Sequence, residues 1–234
     1  ATAAPGAAAT VRTASGSGQT GTVGLALANA LVAEVVDAFG NVVPGVTVTF
    51  TPAAASGTVS ATSGATGSDG RASTNWTLGT TSGSQTVAAS ATGASSASFT
   101  ATANPRAARS FVVVSGNNQT GQATAPLASP LVVAARDTFG NGVPGVAVTF
   151  SVTAGGGSLS PASATTGSAG TASATFTLGP TVGTHTAQAA AGTLGTVSFT
   201  ATATSGPPAA MTKVSGDAQT RTVGDTVTVT VEVV

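Results

Sequence analysis

Two copies of one stretch decide the fold: residues 35–50 read VVDAFGNVVPGVTVTF, and residues 135–150 read ARDTFGNGVPGVAVTF. Each copy places an Asp-x-Phe-Gly-Asn turn and a Pro-Gly turn before a run in which large apolar residues alternate with threonine or alanine. Such a period of two is typical of a β-strand that has one buried side and one solvent-facing side. The stretch therefore predicts turns followed by a strand, repeated 100 residues later.

The offset of 100 residues holds along the whole chain. The motif SGSGQTG at 15–21 returns as SGNNQTG at 115–121 and as SGDAQTR at 215–221. A period of this length exceeds that of solenoid repeats and suits a small domain with its own core. We predict four segments: the last strand of a preceding repeat at residues 1–3, domain one at 4–104, domain two at 105–204, and the first strands of an incomplete third domain at 205–234.

Strands should dominate each repeat. A second alternating face recurs at residues 72–78 and 172–178, and no longer segment has helical spacing. About seven short strands per repeat, separated by turn signals, predict an all-β fold of tandem immunoglobulin-like β-sandwiches. Proline in the linkers at 104–108 and 204–208 predicts stiff connections, so the sandwiches should form a rod. The core should be rich in alanine, with one large aromatic side chain, Trp76 or Phe176, on the central strand.

Composition excludes several classes of function. Only 6% of the residues are charged, 7 basic and 7 acidic, so we expect no nucleic-acid partner. The absence of cysteine removes disulfides, thiolate metal sites and thiol nucleophiles. No apolar run is long enough to span a bilayer, so we expect no membrane insertion in this segment.

Three kinds of residue are candidates for a functional site, and each also has a possible structural role. His185 is the only histidine, and its counterpart is Gln85, so we expect a surface side chain and no catalytic base. Asp37 and Asp137 suggest calcium, but one carboxylate per turn is too few for that ion, and capping of the turn's own N–H groups is the simpler role.

Trp76 is a candidate sugar-stacking platform, but its place in the alternation, and its match with Phe176, favour the core. We therefore predict no enzymatic activity, no catalytic, cofactor-binding or metal-ligating residues, and no cofactor.

The repeat also resembles a known family. The two quoted stretches, the preceding Ser-Gly-x-x-Gln-Thr motif, the segment GSDGRA at 67–72 and the terminal SFTA at 98–101 are similar to the group-one bacterial immunoglobulin-like domains of intimin and invasin. The resemblance implies an extracellular or cell-surface location and tandem repeats that form adhesin stalks.

We hypothesise a structural spacer, the shaft of a bacterial adhesin or extracellular filament. The alternative is a binding module in which one face contacts a host protein, a glycan or a neighbouring subunit. A unique aromatic or charged patch would favour the module, and neither complete copy shows one in its sequence.

The C-terminal segment carries the predicted partner contact. Val227, Val229, Val231 and Val233 alternate with polar residues and predict an apolar strand face that has no partner sheet in this chain. Two outcomes remain open. The polypeptide continues into a full third domain, or this strand completes a domain of a neighbouring copy by β-strand addition.

Overall fold

The computed structural model describes residues 4–207, 211–214, 220–224, 226 and 228–233. Over these ranges the chain is almost entirely β-structure, and its one helical segment is a single 3-10 turn at Gly192–Leu194. No helix in this described part is long and apolar enough to cross a membrane. We call residues 4–104 the first unit and residues 105–204 the second unit. The predicted all-β fold is confirmed.

The first unit contains ten strands, several of them only two or three residues long. They are β1 (Ala8–Ser15), β2 (Gln19–Thr22), β3 (Leu31–Asp37), β4 (Thr47–Pro52), β5 (Thr58–Val59), β6 (Ser63–Ala65), β7 (Arg71–Thr74), β8 (Trp76–Thr77), β9 (Gly83–Ser90) and β10 (Ala97–Asn104). One three-stranded sheet has the order β1-β3-β7, and the opposing five-stranded sheet has the order β2-β10-β9-β4-β6. Strands β5 and β8 form a separate two-stranded pair.

The second unit repeats this plan. Its strands are β11 (Ser110–Ser115), β12 (Gln119–Gln122), β13 (Leu131–Arg136), β14 (Ala147–Ala154), β15 (Gly157–Ser160), β16 (Ser163–Thr165), β17 (Thr171–Leu178), β18 (Gly183–Ala190) and β19 (Thr196–Thr204). The sheets have the orders β11-β13-β17-β15 and β12-β19-β18-β14-β16. Its β17 is continuous where the first unit breaks the strand at Asn75 into β7 and β8.

Strand register follows the alternation read from the sequence. In β4, Val48 and Phe50 are buried while Thr47 and Thr49 are exposed. Most neighbouring strands are antiparallel, but β2 pairs with β10 in parallel, with Gln19 opposite Ala101, and β12 pairs with β19 in the same way. The short parallel strand closes one edge of each sandwich, which leaves fewer unpaired backbone groups there.

Each unit has its own hydrophobic core, and the two clusters share no residue. Alanine supplies much of both cores, as expected. Trp76 is the large aromatic expected within residues 72–78, and Phe50 of β4 and Phe99 of β10 add two further rings to the core of the first unit. Their rings lie 6.4 Å apart. Alanines on facing strands leave space between the sheets that these larger rings fill.

The C-terminal segment differs from its prediction. Val231–Val233 forms strand β21, which pairs antiparallel with strand β20 (Met211–Lys213), so the expected lack of a partner strand is wrong there. Val229 is half exposed and lies outside any strand, and Val227 lies outside the described residues.

Candidate functional site

The Asp-x-Phe-Gly-Asn turn of the first unit is organised by one carboxylate. Asp37 Oδ1 accepts hydrogen bonds from the N–H groups of Phe39 and Asn41, both at 2.9 Å, and Oδ2 accepts one from Gly6 N–H, also at 2.9 Å. The Asn41 side chain donates to both oxygens. The hydrogen bonds from the Asn41 side chain and from Gly6 lower the pKa of Asp37 from 3.8 to about 2.

Asp137 repeats the arrangement in the second unit. Its Oδ2 accepts a hydrogen bond from Arg106 N–H at 3.0 Å, so the carboxylate ties the linker to the turn. Burial raises the pKa of Asp137, but the hydrogen bonds from the Asn141 side chain and the Arg106 N–H outweigh it, and the pKa is lowered overall.

The same geometry bears on the calcium hypothesis. The oxygens of Asp37 and Asp137 point at N–H donors, whereas a calcium ion needs oxygen ligands around it. Within the residues that the structure describes, no three His, Cys, Asp or Glu side chains converge on a common point. These observations support the turn-capping role.

Asn141 also connects the two units. Its Nδ2 donates to Thr80 O at 2.8 Å, and its Oδ1 accepts from Ser82 N–H at 2.9 Å. Both partners are backbone groups of the loop that precedes β9 in the first unit. We call residues 23–24 and 80–82 the loop end of the first unit, and residues 137–144 the turn end of the second unit.

Arg106 forms the second connection. Its Nε donates to Val23 O at 3.1 Å, and its guanidinium carbon lies 5.0 Å from the centroid of the Phe139 ring. Gly24 completes the contact, because a Cβ at this position would lie 3.1 Å from the Arg106 guanidinium. Arg106 therefore bridges the loop end and the turn end. An exposed cation–π contact contributes about 0.5–1 kcal/mol and a hydrogen bond about 1 kcal/mol.

We call these contacts the joint. Beside them lies an open cleft of 580 Å³ that Ser82, Gly142 and Pro144 help to line. The linker between β10 and β11 is only five residues long, 105–109, and Asp137 holds its second residue. A short, hydrogen-bonded linker and two bridging side chains restrict how the units can tilt against each other.

The repeated Ser-Gly-x-x-Gln-Thr motif has a structural role that the sequence did not reveal. Gln19 Nε2 donates to Gly16 O and Asn29 O, while its Oε1 accepts from Asn29 N–H. Gln119 makes the same three contacts with Gly116 and Ser129. One amide thus holds two loops together in each unit.

His185 is not a surface residue, so that expectation is wrong. It is only 1% exposed, its Nε2 lies 2.8 Å from Thr181 O, and its ring packs edge-on against Phe176. Gln85 does the same in the first unit, where its Nε2 donates to Thr81 O at 2.7 Å. The imidazole therefore secures a loop, as the glutamine does.

Trp76 lies in the core, as predicted. It is 0% exposed, and its Nε1 donates to Ser56 O at 2.6 Å. A fully enclosed ring offers no stacking surface to a sugar, so the platform hypothesis is excluded for this side chain.

One charged row distinguishes the two units. Arg12, Glu34 and Arg71 lie opposite one another across β1, β3 and β7, with ion pairs from both arginines to Glu34. The hydrogen bond from Arg12 is the largest influence that lowers the pKa of Glu34. The second unit has Val112, Ala134 and Thr171 instead. The expectation that neither copy carries a charged patch is therefore wrong.

The joint residues were missed by sequence reasoning. Asn141 was interpreted only as a turn residue, because its sister Asn41 has the same neighbours. A signal did exist at Arg106, which is one of 7 basic residues and occupies a linker position where both Gly6 and Gly206 have no side chain.

Comparisons with known proteins agree with this architecture. The model of the bacterial Ig-like domain (group 1) matches residues 26–104. No curated protein matches the chain at a significant level. InvD of Yersinia pseudotuberculosis is 18% identical with a TM-score of 0.50, over 87% of this chain and 62% of that one.

Two further structures are similar at lower scores. The adhesin InvE of Yersinia pseudotuberculosis is 18% identical (TM-score 0.37, over 83% of this chain and 58% of that one). Invasin, described as a bacterial integrin-binding protein, is 23% identical (TM-score 0.38, over 88% and 43%). The chain spans less than two thirds of each of these three structures. Identities this low concern the fold alone. Residues 26–104, which make up about a third of the chain, are similar to the bacterial Ig-like domain family, group one.

Proposed function

We propose that this chain is a structural spacer from an extracellular or cell-surface bacterial protein, in which immunoglobulin-like units hold other parts at a distance. The match of residues 26–104 to the bacterial Ig-like domain (group 1) supports the location and the class, and the likeness to InvD supports the fold. In this proposal residues 4–104 and 105–204 fold as separate domains, and the chain has no enzymatic role. The one imidazole is buried against a backbone carbonyl, where no substrate could reach it.

The joint is the observation that carries the proposal. A spacer transmits length only if its units keep their relative orientation, and a flexible linker would let the end-to-end distance collapse. Here Asn141 and Arg106 cross from one unit to the other and contact backbone groups in the loop end. Stiffness at this joint would arrange the units as a rod.

Small-angle X-ray scattering tests the joint. Asn141→Ala should broaden the distribution of interatomic distances and increase the flexibility of the chain, because both hydrogen bonds to the loop 80–82 are lost. Asn41→Ala is the matched control, since it removes the same turn contact with aspartate but touches no second unit. If Asn141→Ala and Arg106→Gly both scatter in the same way as the control Asn41→Ala, the proposal is contradicted.

A second candidate function is a binding module, and the row Arg12–Glu34–Arg71 is the observation that favours it. The row lies on one face of the first unit and is absent from the second. Two cations around one anion give the row itself a net positive charge, which suits an acidic glycan. Heparin is a suitable probe. Binding that is lost in Arg71→Thr, which copies the second unit, would support the module, and no binding by the wild type would exclude it for this ligand class.

A further inference from the structure

The turn end of the first unit (residues 37–44) has the features of a joint surface without its partner. Phe39 is 90% exposed, whereas its counterpart Phe139, packed under Arg106 in the joint, is 44% exposed. Asn41 keeps its hydrogen bonds to Asp37, but its Oδ1 accepts none from the described residues. In the second unit, the corresponding Oδ1 accepts from Ser82 N–H.

The loop end of the second unit (residues 123–124 and 180–182) has the matching free groups. Asn141 contacts only backbone atoms, Thr80 O and Ser82 N, so a different side chain in this loop does not prevent the contact. Pro180 O and Val182 N–H occupy the corresponding positions, and neither forms a hydrogen bond within the described part of the chain. The Asn41 side chain at the turn end of the first unit could therefore form the same pair of hydrogen bonds with Pro180 O and Val182 N–H at the loop end of the second unit.

We call the turn end of the first unit and the loop end of the second unit the two free ends, and their side chains also complement each other. In the joint, Gly142 and Ser82 line the open cleft of 580 Å³. Their counterparts at the free ends are Val42 and Val182, which are 38% and 64% exposed. A joint between the free ends would place valine on both sides of this cleft, so apolar side chains would fill the space that small residues leave open.

One joint contact has no equivalent at the free ends. Gly6 stands where the second unit has Arg106, so no guanidinium can cross to the opposite loop. The two valines and the uncovered Phe39 ring would supply apolar area instead, and burial of such area stabilises an interface. The interface would thus be more apolar than the joint within the chain.

We propose that the turn end of the first unit is a docking site for the loop end of the second unit of another copy of this chain, which would contact it through Pro180 and Val182. The contact is heterologous, because two different surfaces meet, so copies would associate head to tail. This goes beyond the proposed function, which concerns the joint within one chain.

Association between separate copies should be weak. Within the chain, a five-residue linker keeps the two joint surfaces at a high effective concentration, and separate copies lack this advantage. Sedimentation equilibrium of the full chain up to about 1 mM, where a weak complex becomes populated, should show an average mass that rises above the 21.8 kDa monomer.

Variants that copy the sister unit locate the surface. Val42→Gly and Val182→Ser introduce the residues that the joint already tolerates, and each should lower the association constant about tenfold, because one buried valine side chain is lost. Val114→Ser alters a valine of β11 whose exposure, 48%, lies between those of Val42 and Val182 and which belongs to neither end, so it should leave association unchanged.

Three results would overturn the docking site. A monomer at every concentration would show that the ends do not bind. Equal association by wild type, Val42→Gly and Val182→Ser would place the contact elsewhere. Association that survives in both end variants but is lost in Val229→Lys would assign it to the C-terminal segment, in agreement with β-strand addition.

Discussion

Truncation of Trp76 tests the packing of the first unit. The indole is fully buried between the sheets, and its Nε1 is the hydrogen-bond donor to Ser56 O. Trp76→Ala should lower the free energy of unfolding of the first unit by about 3–5 kcal/mol, since a large aromatic side chain leaves a cavity. Neighbouring alanines cannot extend into that cavity, which favours the upper part of the range.

Trp76→Phe separates the two contributions. Phenylalanine is the native residue at the matching position 176, so most of the volume is retained, but Ser56 O loses its donor. We expect a cost of about 1–3 kcal/mol, the usual range for a buried polar group left unsatisfied. Alanine should therefore cost clearly more than phenylalanine.

Urea unfolding followed by circular dichroism measures both costs. Because the two cores share no residue, the transition of the first unit should move to lower urea by about 2 M in Trp76→Ala, while that of the second unit stays in place. Phe176→Ala is the reciprocal control and should move only the second transition. A shift of both transitions together, or a cost in Trp76→Ala below about 1 kcal/mol, would refute the reasoning.

Three further results are expected. Wild-type fluorescence, which comes from Trp76 alone, should be blue-shifted and poorly quenched by acrylamide, and a red, readily quenched emission would contradict its burial. His185→Gln should lower the free energy of unfolding by no more than about 1 kcal/mol, because Gln85 already fills this role in the first unit. His185→Ala should lower it by about 3 kcal/mol. Equal losses for the two variants in urea unfolding would refute the shared role. The pKa of Asp37 is lower in the folded state than its ordinary 3.8, so its contribution to stability is complete above pH 3.8 and is lost as the pH falls towards 2. Asp37→Asn should lack this loss when stability is measured against pH. The same pH dependence in the variant and the wild type would contradict the prediction.

Much of the fold could be predicted because it depends on local periodicity. The alternation in β4 and in residues 72–78 identified the inward side chains, and the offset of 100 residues identified two equivalent cores. The burial of His185 was also readable. Its strand alternates buried positions at 185, 187 and 189, so the period of two includes the imidazole even though histidine is a polar residue.

The joint could not be predicted in the same way. Asn41 and Asn141 have nearly identical local sequences, yet only Asn141 contacts a second unit. That contact depends on the angle between the units. Contacts between loops that are far apart in the sequence determine this angle, and no periodic sequence pattern encodes it. The pairing of β20 with β21 is also long-range, because it joins segments about 20 residues apart.

Residual dipolar couplings of the full chain in a weakly aligning medium test the central claim most directly, because they report the orientation of each unit separately. If the joint holds the units as one stiff spacer, couplings from residues 8–104 and 110–204 should fit a single alignment tensor of one magnitude, and Asn141→Ala should split it while Asn41→Ala does not. Two different tensors in the wild type would show that the units reorient independently, and the spacer mechanism proposed for this chain would be wrong.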